Sequence, residues 1–137
     1  MESTSLNKKQ VLIVDDEPSI LKLLKFILSK QYEIHLMESG YKAHLWLEDG
    51  NFPDIIILDL HMPHFDGTSF LKSLKISGYY REIPVIILSA AEELDNIVIN
   101  LPFKVEAFFP KPFNPESLKE EMMRVLNKVP NQPILDK

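Results

Sequence analysis

The sequence contains no cysteine, relatively few cationic residues and no long apolar run. The absence of cysteine excludes disulfides, thiolate metal sites and cysteine nucleophiles. With 15 Lys and Arg against 20 Asp and Glu, the net charge of −5 argues against direct nucleic-acid binding, which needs clustered cationic side chains. The apolar runs are too short to span a bilayer, and residues 1–10 lack the apolar core of a secretory signal. These absences favour a cytoplasmic protein that binds neither nucleic acid nor membranes.

The length of 137 residues is that of one domain of common size, and a composition that is 45% hydrophobic provides for a single core. We expect a disordered N-terminus over residues 1–8, a folded domain over 9–127 and a C-terminal tail or linker over 128–137. The tail contains two prolines and is either a frayed end or the start of a connection to a further segment.

Three runs of continuous apolar residues indicate strands that are buried on both faces, at residues 11–14, 55–58 and 85–88. Such strands are typical of parallel sheets that are covered by helices. Further strands are predicted at residues 32–37 and 107–110, and helices near Pro18, at residues 41–48, 68–77 and 92–101, and from Pro115 after an Asn114 cap. Strand and helix alternate five times, and right-handed crossovers then predict a doubly wound α/β fold with a five-stranded parallel sheet.

Polar residues follow four of the predicted strands. Asp15 and Asp16 follow the first strand, Asp59 the third, Ser89 the fourth and Lys111 the fifth. Ligands of doubly wound sheets bind outside the carboxyl ends of the strands, so these side chains could share one site. Three carboxylates in one pocket repel each other unless a cation binds, and hard oxygen ligands suit Mg²⁺. A lysine beside them can pair with a carboxylate and later with a phosphoryl oxygen.

Each of these residues also has a simpler structural explanation. Asp15 and Asp16 could begin a helix, where carboxylates favour the positive end of the dipole. Ser89 could be a local cap or turn residue, and Lys111 a solvated surface lysine. However, the prolines and aromatic residues on both sides of Lys111 fix its backbone. This favours an amine that is held in one direction over one that moves freely in solvent.

Four linked motifs then identify a family. The chain carries VLIVDDEPSI, PDIIILDLHMPHFDG, VIILSA and FFPKPF in order. Over roughly residues 9–127 it resembles the receiver domain of a two-component response regulator, at that family's spacing. The resemblance implies a flavodoxin-like topology with strand order 2-1-3-4-5. It also implies that a sensor histidine kinase or a histidine phosphotransfer protein supplies a phosphoryl group in a phosphorelay.

The resemblance assigns the acceptor and the metal ligands. Asp59 would be the phospho-acceptor and a ligand of Mg²⁺. Asp16 would bind Mg²⁺ directly and Asp15 through a water, and the main-chain carbonyl of His61 would be another ligand. Such a protein promotes its own phosphorylation and autodephosphorylation but, unlike an enzyme, turns over no separate substrate.

The resemblance also implies a switch. Ser89 would hydrogen-bond the phosphoryl group, Lys111 would neutralise it, and Lys111–Pro112 would be a cis peptide bond. As Ser89 moves, Phe108 would turn inward and remodel the surface of the fourth helix, fifth strand and last helix for a downstream protein. A homodimer through this face is possible, and alternatively Phe108 is permanent core.

The chain departs from the family's pattern at a few positions. Lys104–Val105 replaces the usual Gly-Ala pair, which could stiffen the turn before the fifth strand. Phe108 lacks the hydroxyl of the commoner tyrosine. His61 occupies a variable position near the acceptor, where its side chain could influence how water reaches an acyl phosphate.

Three other functions are compatible with parts of the pattern. A Mg²⁺-dependent phosphatase of the haloacid dehalogenase family needs an aspartate where this chain has His61. A flavodoxin-like electron carrier would place a cofactor phosphate beside the acids at residues 15–17, which would repel it. A receiver-like interaction module that is never phosphorylated is the third. With no room for an output domain after Asn127, we expect output through protein contacts, or a chain that is a fragment of a longer regulator.

Overall fold

The computed structural model describes residues 8–60 and 67–128, which form one sheet with helices on both faces. The strands, in chain order, are β1 (Lys9–Val14), β2 (Tyr32–Met37), β3 (Ile55–Asp59), β4 (Val85–Ala90) and β5 (Ala107–Lys111). The helices are α1 (Pro18–Leu28), α2 (Gly40–Glu48), α3 (Gly67–Lys75), α4 (Ala91–Asn100) and α5 (Pro115–Lys128). Within these described ranges, no helix is long and apolar enough to cross a bilayer.

The sheet is parallel throughout and its strand order is β2-β1-β3-β4-β5. This confirms the predicted doubly wound fold. The order reverses at β1, which has β2 on one side and β3 on the other. Ligands of such sheets bind at the carboxyl ends of the strands near this reversal.

Two apolar cores lie on the two faces of the sheet, because alternate residues of each buried strand point to opposite faces. On one face, Leu12 and Val14 of β1 pack in a core with α2 and α3. On the other, Val11 and Ile13 pack in a core with α1 and α5. The continuous apolar runs of the sequence therefore serve both cores, which is why these strands do not alternate in polarity.

The observed helices differ from the predicted ones by one or two residues at their ends. The helix predicted over residues 68–77 is observed as Gly67–Lys75, and the one predicted over 92–101 as Ala91–Asn100. The predicted Asn114 cap is present, and its Oδ1 accepts a hydrogen bond from the Ser117 amide at 3.0 Å.

Gly67 lies where α3 begins against the end of β3. A Cβ at this position would lie 2.2 Å from the carbonyl oxygen of Asp59 and 2.4 Å from Cα of Leu60. The Gly67 amide also donates a hydrogen bond to the Leu60 carbonyl at 3.1 Å. This close approach of two backbone segments holds the end of β3, and with it Asp59, against the first turn of α3.

Replacing Gly67 with alanine is therefore expected to lower the free energy of unfolding by about 1–3 kcal/mol, because backbone must move to admit the methyl group. Chemical denaturation measures this. Gly78→Ala is the matched control, since no atom lies within 4 Å of a Cβ there, and should change stability by less than about 0.5 kcal/mol. Equal stability of the two variants would contradict the packing role of Gly67.

Candidate functional site

The polar residues singled out in the sequence come together at the carboxyl edge of the sheet. Asp15 directly follows β1, whereas Asp59 and Lys111 are the last residues of β3 and β5. Ser89 belongs to β4, one residue beyond Leu88, which is the register partner of Asp59. Because β1, β3, β4 and β5 are consecutive parallel neighbours, their carboxyl ends deliver these side chains to one place.

Three carboxylates form the centre of the site. One oxygen from each of Asp15, Asp16 and Asp59 lies within 4.8 Å of the other two. Asp15 and Asp59 are only 1% and 4% exposed, whereas Asp16 is open to solvent. Two buried acids and one exposed acid thus face the same small volume.

Lys111 is the cation that meets this cluster. Its Nζ lies 2.9 Å from Asp15 Oδ2 and 3.3 Å from Asp59 Oδ2. The same nitrogen lies 2.9 Å from Oε1 of Glu17. Lys111 is half-buried, and its peptide bond to Pro112 is cis.

Burial and neighbouring charges shift the pKa values of Asp15 and Lys111. Burial raises the pKa of Asp15, and repulsion by Asp59 adds to the effect, while the interactions with Lys111 and with the Glu17 amide offset only part of it. Burial also lowers the pKa of Lys111, but the contacts with Glu17, Asp15 and Asp59 outweigh it and raise that pKa above its ordinary value. Lys111 therefore stays charged at neutral pH and is a permanent source of positive charge in the site.

The donor set fits a hard divalent cation. Three clustered carboxylates face the ammonium group of Lys111, so their negative charge exceeds the positive charge that it supplies. Asp15 Oδ2 is buried, and it forms an ion pair with Lys111 at 2.9 Å. A cluster of three carboxylates, one of them open to solvent, is the kind of oxygen-rich site that Mg²⁺ takes, with waters completing its shell. The predicted carbonyl ligand, His61, lies outside the described residues.

Ser89 and Phe108 lie beside this cluster in the sheet. Ser89 is fully buried, and its Oγ has no hydrogen-bond partner among the described residues. A hydroxyl buried without a partner costs free energy, which makes Ser89 a candidate to bind a group that enters the site. Phe108 is half-buried and packs against the core that contains Leu12 and Val14. It is therefore neither fully exposed nor fully enclosed.

Glu17 is the residue of this site that the sequence prediction missed. Its carboxylate approaches Lys111 as closely as that of Asp15 does. The available signal was its position directly after the Asp15–Asp16 pair, at the start of a helix, where glutamate is not a favoured cap. Glu17, Asp59 and Lys111 line an open cleft of about 530 Å³ that also reaches Ile20 and Glu93.

The buried charge of Asp15 leads to a stability prediction. Without metal, Asp15→Asn is expected to raise the free energy of unfolding at neutral pH by on the order of 1 kcal/mol, because it removes a desolvated and repelled charge. The raised pKa means that the wild type loses stability as pH rises from the ordinary value of 3.8 through the pKa of the folded state. The advantage of the variant should therefore grow over that interval and vanish below it.

Denaturation in a chelator across this pH range measures the effect. Asp49→Asn, which changes an exposed acid at the end of α2, is the matched control and should change the free energy of unfolding by less than about 0.5 kcal/mol. A variant that is less stable than the wild type at neutral pH would show that the pair with Lys111 outweighs the burial of the charge.

Comparison with known proteins places this geometry in a family. Residues 11–123 match the family described as Response regulator receiver domain. The chain is 30% identical to the response regulator MprA of Mycobacterium sp. (strain KMS), over 92% of this chain and 56% of that protein. It is 28% identical to the phosphate regulon transcriptional regulatory protein PhoB of Escherichia coli K12, over 88% of this chain and 53% of that protein. The chain thus spans about half the length of these curated relatives.

Solved structures show the same relationship. The signal receiver domain of a signal transduction histidine kinase from Syntrophus aciditrophicus is 30% identical, with a TM-score of 0.80, and covers 94% of this chain and 99% of its own. The chemotaxis response regulator CheY4 of Vibrio cholerae is 28% identical, with a TM-score of 0.77, over 87% of this chain and 99% of its own. The chain belongs to the response regulator receiver domains of two-component signalling.

Proposed function

We propose that this receiver domain accepts a phosphoryl group on Asp59 from a sensor histidine kinase or a histidine phosphotransfer protein. The observation that carries the proposal is the position of the Asp59 carboxylate, which is nearly buried and lies within reach of both Lys111 and two further acids. A carboxylate in this setting is a well-placed nucleophile, because the Lys111 amine and two acids that could hold a cation lie close to it.

In the proposed step, a carboxylate oxygen of Asp59 attacks the phosphorus of a phosphohistidine. A P–O bond forms, the P–N bond breaks, and the imidazole leaves with the bonding electrons and takes up a proton. The product is an acyl phosphate. The signal ends when water attacks the same phosphorus and the P–O bond to Asp59 breaks. This regenerates the Asp59 carboxylate and releases inorganic phosphate. This autodephosphorylation involves no separate substrate.

Magnesium bound here would supply positive charge against the phosphoryl oxygens and the attacking carboxylate. Asp59 and Asp16 would be direct ligands, Asp15 would act through a water, and the His61 carbonyl would complete the protein's share. The exposure of Asp16 and the burial of Asp15 support this division, since a solvent-facing carboxylate can exchange water for metal more readily.

Lys111 and Ser89 would bind the transferred group. Lys111 already lies 3.3 Å from Asp59 Oδ2, so a phosphoryl oxygen on that carboxylate would fall within its reach. The Ser89 hydroxyl, buried with no partner in the described chain, would gain one in the phosphorylated state. Lys111 and Ser89 would thus stabilise phosphorylated Asp59 more than they stabilise the unphosphorylated carboxylate.

The switch would run from Ser89 to the face of α4, β5 and α5. Movement of Ser89 toward the phosphoryl group would let half-buried Phe108 turn inward. Helix α4 has no buried residue and exposes Val98 and Ile99, so it could shift at small cost in packing and present those side chains to a downstream protein or to a second copy. The Lys104–Val105 turn before β5 would set how freely Phe108 moves.

The test is an amide NMR titration with beryllofluoride and Mg²⁺, a mimic of the acyl phosphate. We expect shifts at the site and also at Phe108 and along α5. Shifts confined to the immediate pocket would refute the switch, and no binding would leave the receiver as a phosphorylation-independent interaction module. Sustained turnover of a chromogenic phosphate ester would instead identify a phosphatase.

A further inference from the structure

The ammonium group of Lys111 contacts three carboxylates at unequal distances. Its two shortest contacts, both 2.9 Å, are to Asp15 and Glu17, and the contact with Asp59 is longer at 3.3 Å. Asp15 and Asp59 are buried parts of the site, whereas the Glu17 side chain is 55% exposed. The ammonium group of Lys111 therefore contacts both the buried acceptor, Asp59, and an exposed acid, Glu17, whose side chain can move into solvent.

The position of Glu17 indicates what its side chain does. Glu17 is the residue that caps the start of α1, yet its side chain makes no capping hydrogen bond. Pro18 follows at the first helical position and has no amide hydrogen to satisfy. The carboxylate reaches across to Lys111 on β5 instead, over a sequence separation of 94 residues. A contact between two elements that neither caps the helix nor lies in a core points to a role at the site.

We propose that Glu17 is a positioning residue that holds Lys111 in the unphosphorylated protein and competes with the incoming phosphoryl group for its ammonium. This inference rests on the proposed function of Asp59. Because the pair is partly exposed, it is worth little energy and can be exchanged when a phosphoryl oxygen arrives. Glu17 would thus set how readily Asp59 is phosphorylated, without itself touching the transferred group.

Releasing Lys111 should tighten binding of an anionic phosphoryl mimic. We expect Glu17→Gln to bind beryllofluoride about two- to fivefold more tightly at saturating Mg²⁺, which is the range of an exposed ion pair. Amide NMR titration measures this affinity. The matched control is Glu116→Gln, which changes an exposed acid that pairs with Lys119 on α5 and should leave the affinity unchanged.

A shorter acid separates contact from charge. Glu17→Asp keeps the negative charge, but its side chain is one methylene shorter and aspartate at this position favours the free amides of the helix. We therefore expect Glu17→Asp to bind as tightly as Glu17→Gln. Wild-type affinity in Glu17→Asp with tighter binding in Glu17→Gln would overturn the proposal, because charge alone would then explain the effect.

The effect must also depend on Lys111. In a Lys111→Met background, Glu17→Gln should change the affinity by less than the error, and a persisting gain would overturn the proposal. An independent readout is the Nζ resonance of Lys111 in the metal-free protein, which should shift in Glu17→Gln and Glu17→Asp but not in Glu116→Gln. A wild type that fails to bind beryllofluoride removes the proposed function and this inference with it. A wild type that binds, with no gain in Glu17→Gln, removes this inference alone.

Discussion

Replacing Asp59 with asparagine is expected to abolish phosphorylation by acetyl phosphate and the response to beryllofluoride. The amide oxygen of asparagine is a far weaker nucleophile than a carboxylate, and it carries no charge to hold Mg²⁺ or Lys111. The fold should persist, because the substitution preserves the size of a buried side chain and removes one of the repelling acids. Incorporation of labelled phosphate measures the loss of phosphorylation, and a thermal unfolding curve measures whether the fold persists.

Asp49→Asn serves again as the matched control, since Asp49 is an exposed acid at the end of α2. It should be phosphorylated at the wild-type rate. Phosphorylation of Asp59→Asn at a rate near that of the wild type would show that another residue is the acceptor. Loss of folding in the variant would instead assign Asp59 a structural role, which its repulsion by the two other acids of the cluster does not suggest.

Replacing Lys111 with methionine is expected to separate metal binding from phosphoryl transfer. Loss of the ammonium group that lies 3.3 Å from Asp59 Oδ2 should slow phosphorylation by about 100-fold or more, which is typical when a preorganised charged or polar donor is removed. Magnesium affinity should be unchanged or higher, because Lys111 and the metal compete for the same carboxylates. Isothermal titration with Mg²⁺ and phosphorylation kinetics measure the two effects on one protein.

The metal-free Lys111→Met protein should also be less stable than the wild type, since its buried acids lose their partner, and Mg²⁺ should restore most of the loss. Lys119→Met, which removes the amine of an ion pair on α5, is the control and should change neither quantity. Loss of both metal binding and phosphorylation would contradict the account, because it would show that Lys111 maintains the structure of the whole site.

The sheet was predictable from the sequence because its strands are buried on both faces. The runs that include Ile13 and Ile57 are continuously apolar, which is typical of parallel strands covered by helices on both faces. Helix ends were less predictable, as α3 shows. Its first residue, Gly67, is fixed by close contact with the backbone of Asp59, and nothing in the local sequence reveals a contact between two segments.

The site was predictable as far as parallel strands bring their carboxyl ends together. That rule placed Asp15, Asp59 and Lys111 at one edge without knowledge of any distance. It did not reveal that Asp15 is buried while Asp16 is exposed, because the turn after β1 decides this. Nor did it reveal the pair of Glu17 with Lys111, which depends on how the start of α1 lies relative to β5.

The most direct test of the central claim is identification of the residue that carries the phosphoryl group. The protein is incubated with acetyl phosphate and Mg²⁺, the acyl phosphate is reduced with borohydride, and the digested peptides are sequenced by mass spectrometry. The account predicts homoserine at position 59, dependent on Mg²⁺ and absent from Asp59→Asn. The account would be contradicted if the phosphoryl group were found on Ser89, on a histidine or on another acid. It would also be contradicted if no residue were phosphorylated while Mg²⁺ bound normally.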